Sequence, residues 1–309
     1  MVKFSALSDC PLISVIVPSF NQGRFIRQTL DSILKQDYRP IEVVVVDGAS
    51  TDHTVEVLHE YDGVSEVKWI SEPDSGVVEA VNKGFARAQG EVAAVQSSDD
   101  FYLPGAIRQG VEELRSDRSL GFTSGDIVKI DAEGRTLSQT RLKEFSIENI
   151  LAAITWIPQP STFFRLDLAK SLGGWREEVP YAADTDLWMR MMLKAPAKKI
   201  DALFAKRRMH DVQRDKQGAL IIKDYTRVIE DLFEKYGAPA NLRPAAEAGI
   251  LLQMNRYMYG EGRRIKVKRL REATVLYPPL SQHIKVSGRV AGIDRARAVA
   301  MRVISGLKR

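Results

Sequence analysis

The chain is poor in the residue that most often staples small folds. Cys10 is its only cysteine, so an internal disulfide and a cysteine-based zinc cluster are both excluded, and a reducing compartment is expected. Long apolar runs are missing too: nothing approaches the roughly 20 residues of a spanning helix. Near the start Lys3 is followed by no clean apolar core, and Pro11 and Pro18 interrupt what comes next, which predicts no signal peptide. Two phosphate-binding signatures are absent. No G-x-G-x-x-G follows the first apolar run, and no G-K-[ST] occurs anywhere, which removes the dinucleotide and P-loop cradles. Repeats and low-complexity segments are lacking as well. With 44% hydrophobic and 28% charged residues, disorder is excluded and an ordinary soluble globular protein is expected. The 309 residues leave room for one large α/β domain with an appendage, or for two medium domains.

What is present is a rhythm of short buried strands and amphipathic helices. Residues 12–17 (LISVIV) form a continuous apolar, β-branched run, as in a strand covered on both faces. Phe25, Ile26, Leu30, Ile33 and Leu34 then recur at helical spacing. Residues 41–46 predict a second strand, and Thr51 or Asp52 caps the helix after it. A third strand is expected over 67–70, a helix up to Ala88, and a fourth strand over 92–96. Pro104 suits the first turn of the next helix. Strands alternating with single helices imply parallel pairing. The rhythm then changes: a strand over 120–130, a hairpin turn at Asp131-Ala132-Glu133-Gly134, a rigid Pro158-Gln159-Pro160 loop, a strand over 161–164, and a helix from Asp184 to Leu193. Beyond about residue 215 the pattern is helical, with breaks at Gly237, Pro244, Gly260, Pro278-Pro279 and Gly288.

Polar and acidic groups gather at the ends of these strands: Asn21, Asp47, Asp74, Asp99 and Asp100. An open α/β sheet offers its ligands the crevice beyond the carboxyl ends of its strands. Asp99 and Asp100 are adjacent like charges, and a divalent cation with oxygen ligands is the natural way to relieve them.

Taken in order, seven stretches resemble the family 2 glycosyltransferases, inverting enzymes with the GT-A fold. They are Val17-Pro18-Ser19-Phe20-Asn21, Val46-Asp47-Gly48-Ala49-Ser50-Thr51-Asp52, Ser71-Glu72-Pro73-Asp74-Ser75-Gly76, Asn82-Lys83-Gly84, Ser97-Ser98-Asp99-Asp100, Gly173-Gly174-Trp175 and Ala183-Asp184-Thr185-Asp186-Leu187-Trp188. Each is weak by itself; the ordered set, over roughly residues 11–210, is specific. The resemblance implies an α/β domain over 1–214, Rossmann-like, with a mixed, mostly parallel sheet and flanking helices. A helical region over 215–309 follows it.

The resemblance also implies roles. Pro18, Ser19, Asn21 and Asp47 would hold the nucleoside, and a carboxylate there accepts from a ring N–H; the plain alternative is that Asp47 starts a turn. Asp74, Asn82, Lys83, Ser98 and Asp99 would face the donor sugar and diphosphate, although a lysine on a helix is as often solvated. Asp99, Asp100 and His210 would hold Mn²⁺ or Mg²⁺. Ser97 stands where the family's metal motif has an acid, so the ion would rest on one carboxylate plus substrate oxygens and water. The alternative for Asp100 is a helix cap, and for His210 a surface position. Arg207 and Arg208 would add positive charge for the leaving phosphates. Asp184 would be the general base, with Ala183 replacing an acidic neighbour common in the family; a capping role is compatible with that duty. Gln159 and Asp186 would face the acceptor, although Asp186 should point away from Asp184 and toward Arg190 or the backbone.

The expected activity is therefore transfer of a sugar from a nucleotide-diphosphate sugar donor to the hydroxyl of a glycan or lipid-linked acceptor, in cell-envelope or exopolysaccharide synthesis. Two rivals are a metal-dependent phosphoryl or nucleotidyl transferase and a catalytically silent nucleotide-binding module, the latter suggested by Ser97 and Ala183. A cytoplasmic location is expected, and nucleic acid is not an expected partner. Residues 261–309 hold thirteen Lys and Arg against three Asp and Glu, a balance of +10 in a chain of +5, so the first 260 stand at −5. Ile293, Ala296, Ala300, Val303, Ile304 and Leu307 fall on one helical face amid Arg295, Arg297, Arg302, Lys308 and Arg309. That pattern fits either peripheral contact with the inner face of a membrane or packing on the protein itself.

Overall fold

The computed structural model describes residues 4–210 and 217–283, and the chain divides into two units. The first comprises Met1–Ser146 and Ile157–Arg214, and the second Ile147–Trp156 and Asp215–Arg309. The second unit thus takes in residues 147–156, which the sequence reading leaves in the first.

In the first unit the chain runs β1 (Ile13–Ser19), α1 (Ile26–Leu34), β2 (Ile41–Asp47), α2 (Thr54–His59), β3 (Val67–Ser71), α3 (Val77–Arg87) and β4 (Val92–Val95). Every residue of β1, β2 and β4 is buried, which is why these strands read as largely apolar runs, and their internal polar pair is satisfied by a hydrogen bond from the Ser14 hydroxyl to the Glu42 carboxylate. They pair in parallel in the order β3-β2-β1-β4. The register puts Ser19 opposite Asp47 and Asp47 opposite Ser71, so three polar side chains end their strands in one row. Helix α3 lies close on this sheet because Gly84 has no side chain: a Cβ there would come 2.3 Å from Ile16 Cγ2. Overfilling such a contact typically costs about 1–3 kcal/mol.

The sheet continues with β5 (Phe101–Tyr102), then helix α4 (Ala106–Ser116), and the hairpin β6 (Phe122–Ile130) and β7 (Thr136–Thr140). After α5 (Ile147–Leu151), which belongs to the second unit, come β8 (Thr162–Arg165), α6 (Leu166–Ser171), α7 (Ala183–Met192) and β9 (Ala197–Arg208). The described sheet has nine strands in the order β3-β2-β1-β4-β8-β6-β9-β5, with β7 on β6. Strand β8 is antiparallel to both its neighbours, which makes the sheet mixed.

Two expectations change here. A two-residue strand, β5, separates the acidic pair from α4, whose N-cap is Gly105; Asp100 is therefore not a helix cap. Strand β9 is not foreseen in the sequence. Its charged residues mask the pattern, and register shifts at Gly125/Asp126 and Asp126/Ile127 break its alternation against β6.

The second unit contains α5, α8 (Gly218–Glu234), α9 (Arg243–Tyr257) and α10 (Arg263–Leu276). Ala248, Ala273 and Leu280 form a small buried cluster joined by Ile154, Leu251, Leu252 and Tyr277. Pro244 sits in the first turn of α9, where its missing N–H costs no hydrogen bond, and so does not break the helix. Gly288 and the apolar and basic stretch from Ile293 to Arg309 lie outside the described residues.

Candidate active site

At the ends of β1, β2 and β3 the chain builds a floor from turn chemistry. Asp47 is fully buried. Its carboxylate accepts the Ser50 backbone N–H at 2.9 Å, the Ser71 hydroxyl at 2.7 Å and the Ser50 hydroxyl. A carboxylate has about four acceptor positions, so this one retains capacity for one further donor. Asp47 thus does start a turn, the one after β2. Asn21 takes φ +52, and its Oδ1 accepts the Thr51 N–H at 2.8 Å, tying the loop after β1 to the loop after β2. Ser19 is buried with no hydrogen-bond partner for its hydroxyl, and Pro18 precedes it opposite Val46. Asp74 comes up beside this floor: a Cβ on Gly48 would meet its Oδ2 at 2.8 Å. Burial raises the Asp74 carboxyl above its ordinary range, against a hydrogen bond from the Gly76 N–H. Asp52 accepts the Thr54 and Gly23 N–H groups just before α2, whose N-cap position is His53 rather than Thr51 or Asp52.

Beyond β4 the adjacent acids separate. Asp99 Oδ2 lies 3.0 Å from His210 Nε2, with both side chains partly open to solvent, and the imidazole stacks on Phe25 at 5.7 Å. Asp100 turns inward instead. Its carboxylate is buried and accepts the Arg208 N–H at 2.7 Å. Burial, aided by the neighbouring Asp99 charge, drives its pKa well above the usual range, with Arg207 and Arg208 opposing. The expectation that Asp100 ligates an ion is corrected accordingly: the lone pair nearest the surface belongs to Asp99. Ser98 is buried, and its carbonyl accepts from Thr29 Oγ1 at 2.9 Å.

Arg208 is buried where a free phosphate contact was expected. Its guanidinium donates to the carbonyls of Asp99 (3.0 Å) and Ala132 (2.8 Å) and to Gln28 Oε1 (2.6 Å), and stacks over Phe25 at 4.5 Å. It therefore pins the acidic turn to α1 and to the β6–β7 turn. The signal in sequence for this hub was only its place two residues before His210. Gln159 joins the same edge: its amide donates to the Val95 carbonyl, and its Oε1 accepts from Ser97 Oγ at 3.1 Å.

The residues fit a divalent ion in one arrangement. Two ligands at right angles on an ion with bonds of about 2.1 Å stand roughly 3 Å apart, the separation that Asp99 Oδ2 and His210 Nε2 already have. No group of three His, Cys, Asp or Glu able to hold a metal occurs among the described residues, so substrate oxygens and water would complete the shell.

The expected diphosphate contacts are engaged elsewhere. Lys83 pairs with Glu72 and Glu79, each at 2.9 Å. Asn82 clamps the backbone of Trp175: Nδ2 donates to its carbonyl at 2.8 Å and Oδ1 accepts its N–H at 2.9 Å. The turn so held needs Gly174, which has φ +68 and would push a Cβ to 2.6 Å from Asn82 Oδ1.

Asp184 and Asp186 lie in the first turn of α7 and face different surroundings. Asp186 is wholly buried, and Arg176 and Arg190 hold it at 2.9 and 2.8 Å. Arg190 also donates to the carbonyls of Leu172 and Gly174 at 2.6 and 2.7 Å, so this network fixes the Gly173-Gly174-Trp175 turn. An acceptor role for Asp186 is corrected by that burial. Asp184 is only partly buried and its Oδ1 accepts the Thr185 N–H at 2.7 Å.

Against known proteins, the pattern for Glycosyl transferase family 2 matches residues 14–169. A chondroitin synthase of Escherichia coli is 26% identical over 241 residues, 74% of this chain and 34% of that protein. The chain spans about a third or less of the length of the curated relatives it first matches. Among solved structures, S. aureus TarS 1-349 in complex with UDP-GlcNAc superposes with TM-score 0.65 at 18% identity, covering 85% of this chain and 81% of that one. The mannosyltransferase PcManGT from Pyrobaculum calidifontis, in complex with GDP-Man and Mn²⁺, gives TM-score 0.63 at 20% identity, covering 97% and 81%. At such identities the likeness establishes the fold, which is GT-A followed by a helical C-terminal region.

Proposed function

This chain belongs to glycosyl transferase family 2, and on that premise we propose that it moves one sugar from a nucleoside diphosphate donor to an acceptor hydroxyl with inversion at the anomeric carbon. The observation that carries the reading is the Asp99–His210 pair, 3.0 Å apart at the carboxyl edge of the same parallel sheet that ends in Ser19, Asp47 and Ser71. The nucleoside would rest against Pro18, Ser19, Asn21 and Asp47, with the free Ser19 hydroxyl and the open acceptor capacity of Asp47 reading the base. Asp74 would border the ribose side. Asp99 and His210 would hold a divalent ion, which would supply positive charge for the departing diphosphate.

Asp184 would take the proton of the acceptor hydroxyl as its oxygen bonds to the anomeric carbon. The bond from that carbon to the diphosphate oxygen breaks, and the electron pair leaves with the diphosphate. The anomeric centre passes through oxocarbenium character, so attack from the opposite face inverts it. The nucleotide sugars in the two solved neighbours support a donor of that class, and the chondroitin synthase relative supports a polysaccharide acceptor. A place in envelope or exopolysaccharide synthesis, on the cytoplasmic side, follows from the same reading.

The test is a thermal-shift panel of nucleotide sugars with and without Mn²⁺, followed by product analysis for each donor that raises the melting temperature. Release of nucleoside diphosphate is expected. Release of monophosphate would make the protein a phosphoryl or nucleotidyl transferase, and a donor that binds but is neither hydrolysed nor transferred would make it a silent binding module.

A further inference from the structure

Helix α10 carries six basic residues, Arg263, Arg264, Lys266, Lys268, Arg269 and Arg271, against one acid, Glu272. Glu261 pairs with Arg269, and Glu272 stands 3.7 Å from Lys268. No ion pair to Arg264 or Arg271 occurs among the described residues. At 3.6 residues per turn, Arg264, Lys268 and Arg271 form one line along the exposed side, while Ala273 on the far side is buried in the cluster with Ala248 and Leu280. Large apolar side chains flank that line. Ile265 is 47% exposed, Leu276 38%, and Tyr259 just before the helix 66%.

Single exposed apolar residues are ordinary. Here Ile265 and Leu276 lie about three turns apart on one side of a strongly basic helix, and that combination selects the partner. From it we infer that this face of α10 docks on an anionic phospholipid surface, with the basic line on the headgroups and Ile265, Leu276 and Tyr259 in the interfacial layer. A water-soluble polyanion would satisfy the charges and leave the apolar side chains in water. Residues 284–309 carry seven Lys and Arg against one Asp, a charge that adds to the same attraction. The inference does not depend on which sugar is transferred.

The test sediments the full chain with vesicles of phosphatidylcholine alone and of phosphatidylcholine with phosphatidylglycerol, at low and high salt. Binding only to the anionic vesicles, weakened by salt, is expected. Each near-surface basic residue contributes on the order of fivefold, so the triple variant R264Q/K268Q/R271Q should bind about a hundredfold more weakly with an unchanged melting temperature. The pair I265S/L276S should also lose vesicle binding while its affinity for heparin stays the same. Vesicle binding at the unmodified level in the triple variant would overturn the inference and assign any contact to residues 284–309. Loss of heparin binding in the triple variant, with normal vesicle binding by I265S/L276S, would make the surface a polyanion site instead.

Discussion

Two aspartates two positions apart on α7 should fail in opposite ways when each is changed to asparagine. In Asp186→Asn the side chain keeps its shape and loses its charge. Arg190 has no exposure and Arg176 is 13% exposed, so both guanidinium groups would face a neutral amide in a dry site. Removing one partner of a buried ion pair costs about 3–5 kcal/mol, because the remaining charge stays uncompensated. For a unit of this size each kcal/mol lowers the melting temperature by roughly 2–4 °C, so a loss of about 6–20 °C is expected. The carbonyls of Leu172 and Gly174 also lose a fixed donor, so the Gly173-Gly174-Trp175 turn loosens with the network. In Asp184→Asn the amide oxygen can still accept the Thr185 N–H, so the loss of stability should be smaller than in Asp186→Asn. Turnover should fall by about 10²–10⁴ with donor KM unchanged, since a base acts on the chemical step rather than on binding. The assay pairs thermal melts by circular dichroism with initial rates at saturating donor. A melting temperature for Asp186→Asn equal to that of the unmodified chain would refute the structural reading of the network. Near-normal turnover in Asp184→Asn would place the base elsewhere.

At the ion, Asp99→Asn and His210→Ala should each abolish the gain in donor affinity that Mn²⁺ gives over chelator in calorimetric titration. Asp100→Asn should retain most of that gain, because the Asp100 carboxyl is buried and faces the Arg208 N–H; equal losses in all three variants would contradict the inward placement of Asp100. A further prediction concerns acid stability. Hydrogen bonds from Lys83 and Ser75 hold the Glu79 carboxyl down to about 2, from an ordinary 4.5. A carboxyl lowered by folding stabilises the folded state in full above its unfolded value, and that contribution fades as pH falls from 4.5 toward 2. Glu79→Gln should flatten the acid limb of a stability–pH curve in that window, and less so at high salt, where an exposed pair is screened. An unchanged acid limb would show that the Lys83 contact contributes nothing in solution.

The order of strands and helices was legible because burial leaves a mark on residue type. A strand covered on both faces is mostly apolar, as β1, β2 and β4 are apart from the internal pair Ser14 and Glu42, and the remaining polar groups gather where such strands end. That alone located Ser19, Asp47 and the Ser97-Ser98-Asp99-Asp100 turn, and the order of the motifs pointed to the family. Strand β9 escaped because its charges obscure the alternation and its pairing partner lies about seventy residues earlier, with bulges in between. The direction of each acid was likewise a tertiary matter. Asp99 and Asp100 are the same chemical group in the same turn, and only the arrival of Arg208 and His210 at the end of β9 sends one inward and leaves the other at the surface. Spacing on a helix could say that Asp184 and Asp186 diverge, but Arg176 and Arg190 decide which of them is buried. Asn82 and Lys83 stood in the expected motif, yet their partners Trp175, Glu72 and Glu79 claim them, since a side chain's hydrogen bonds are set by what the fold brings within reach.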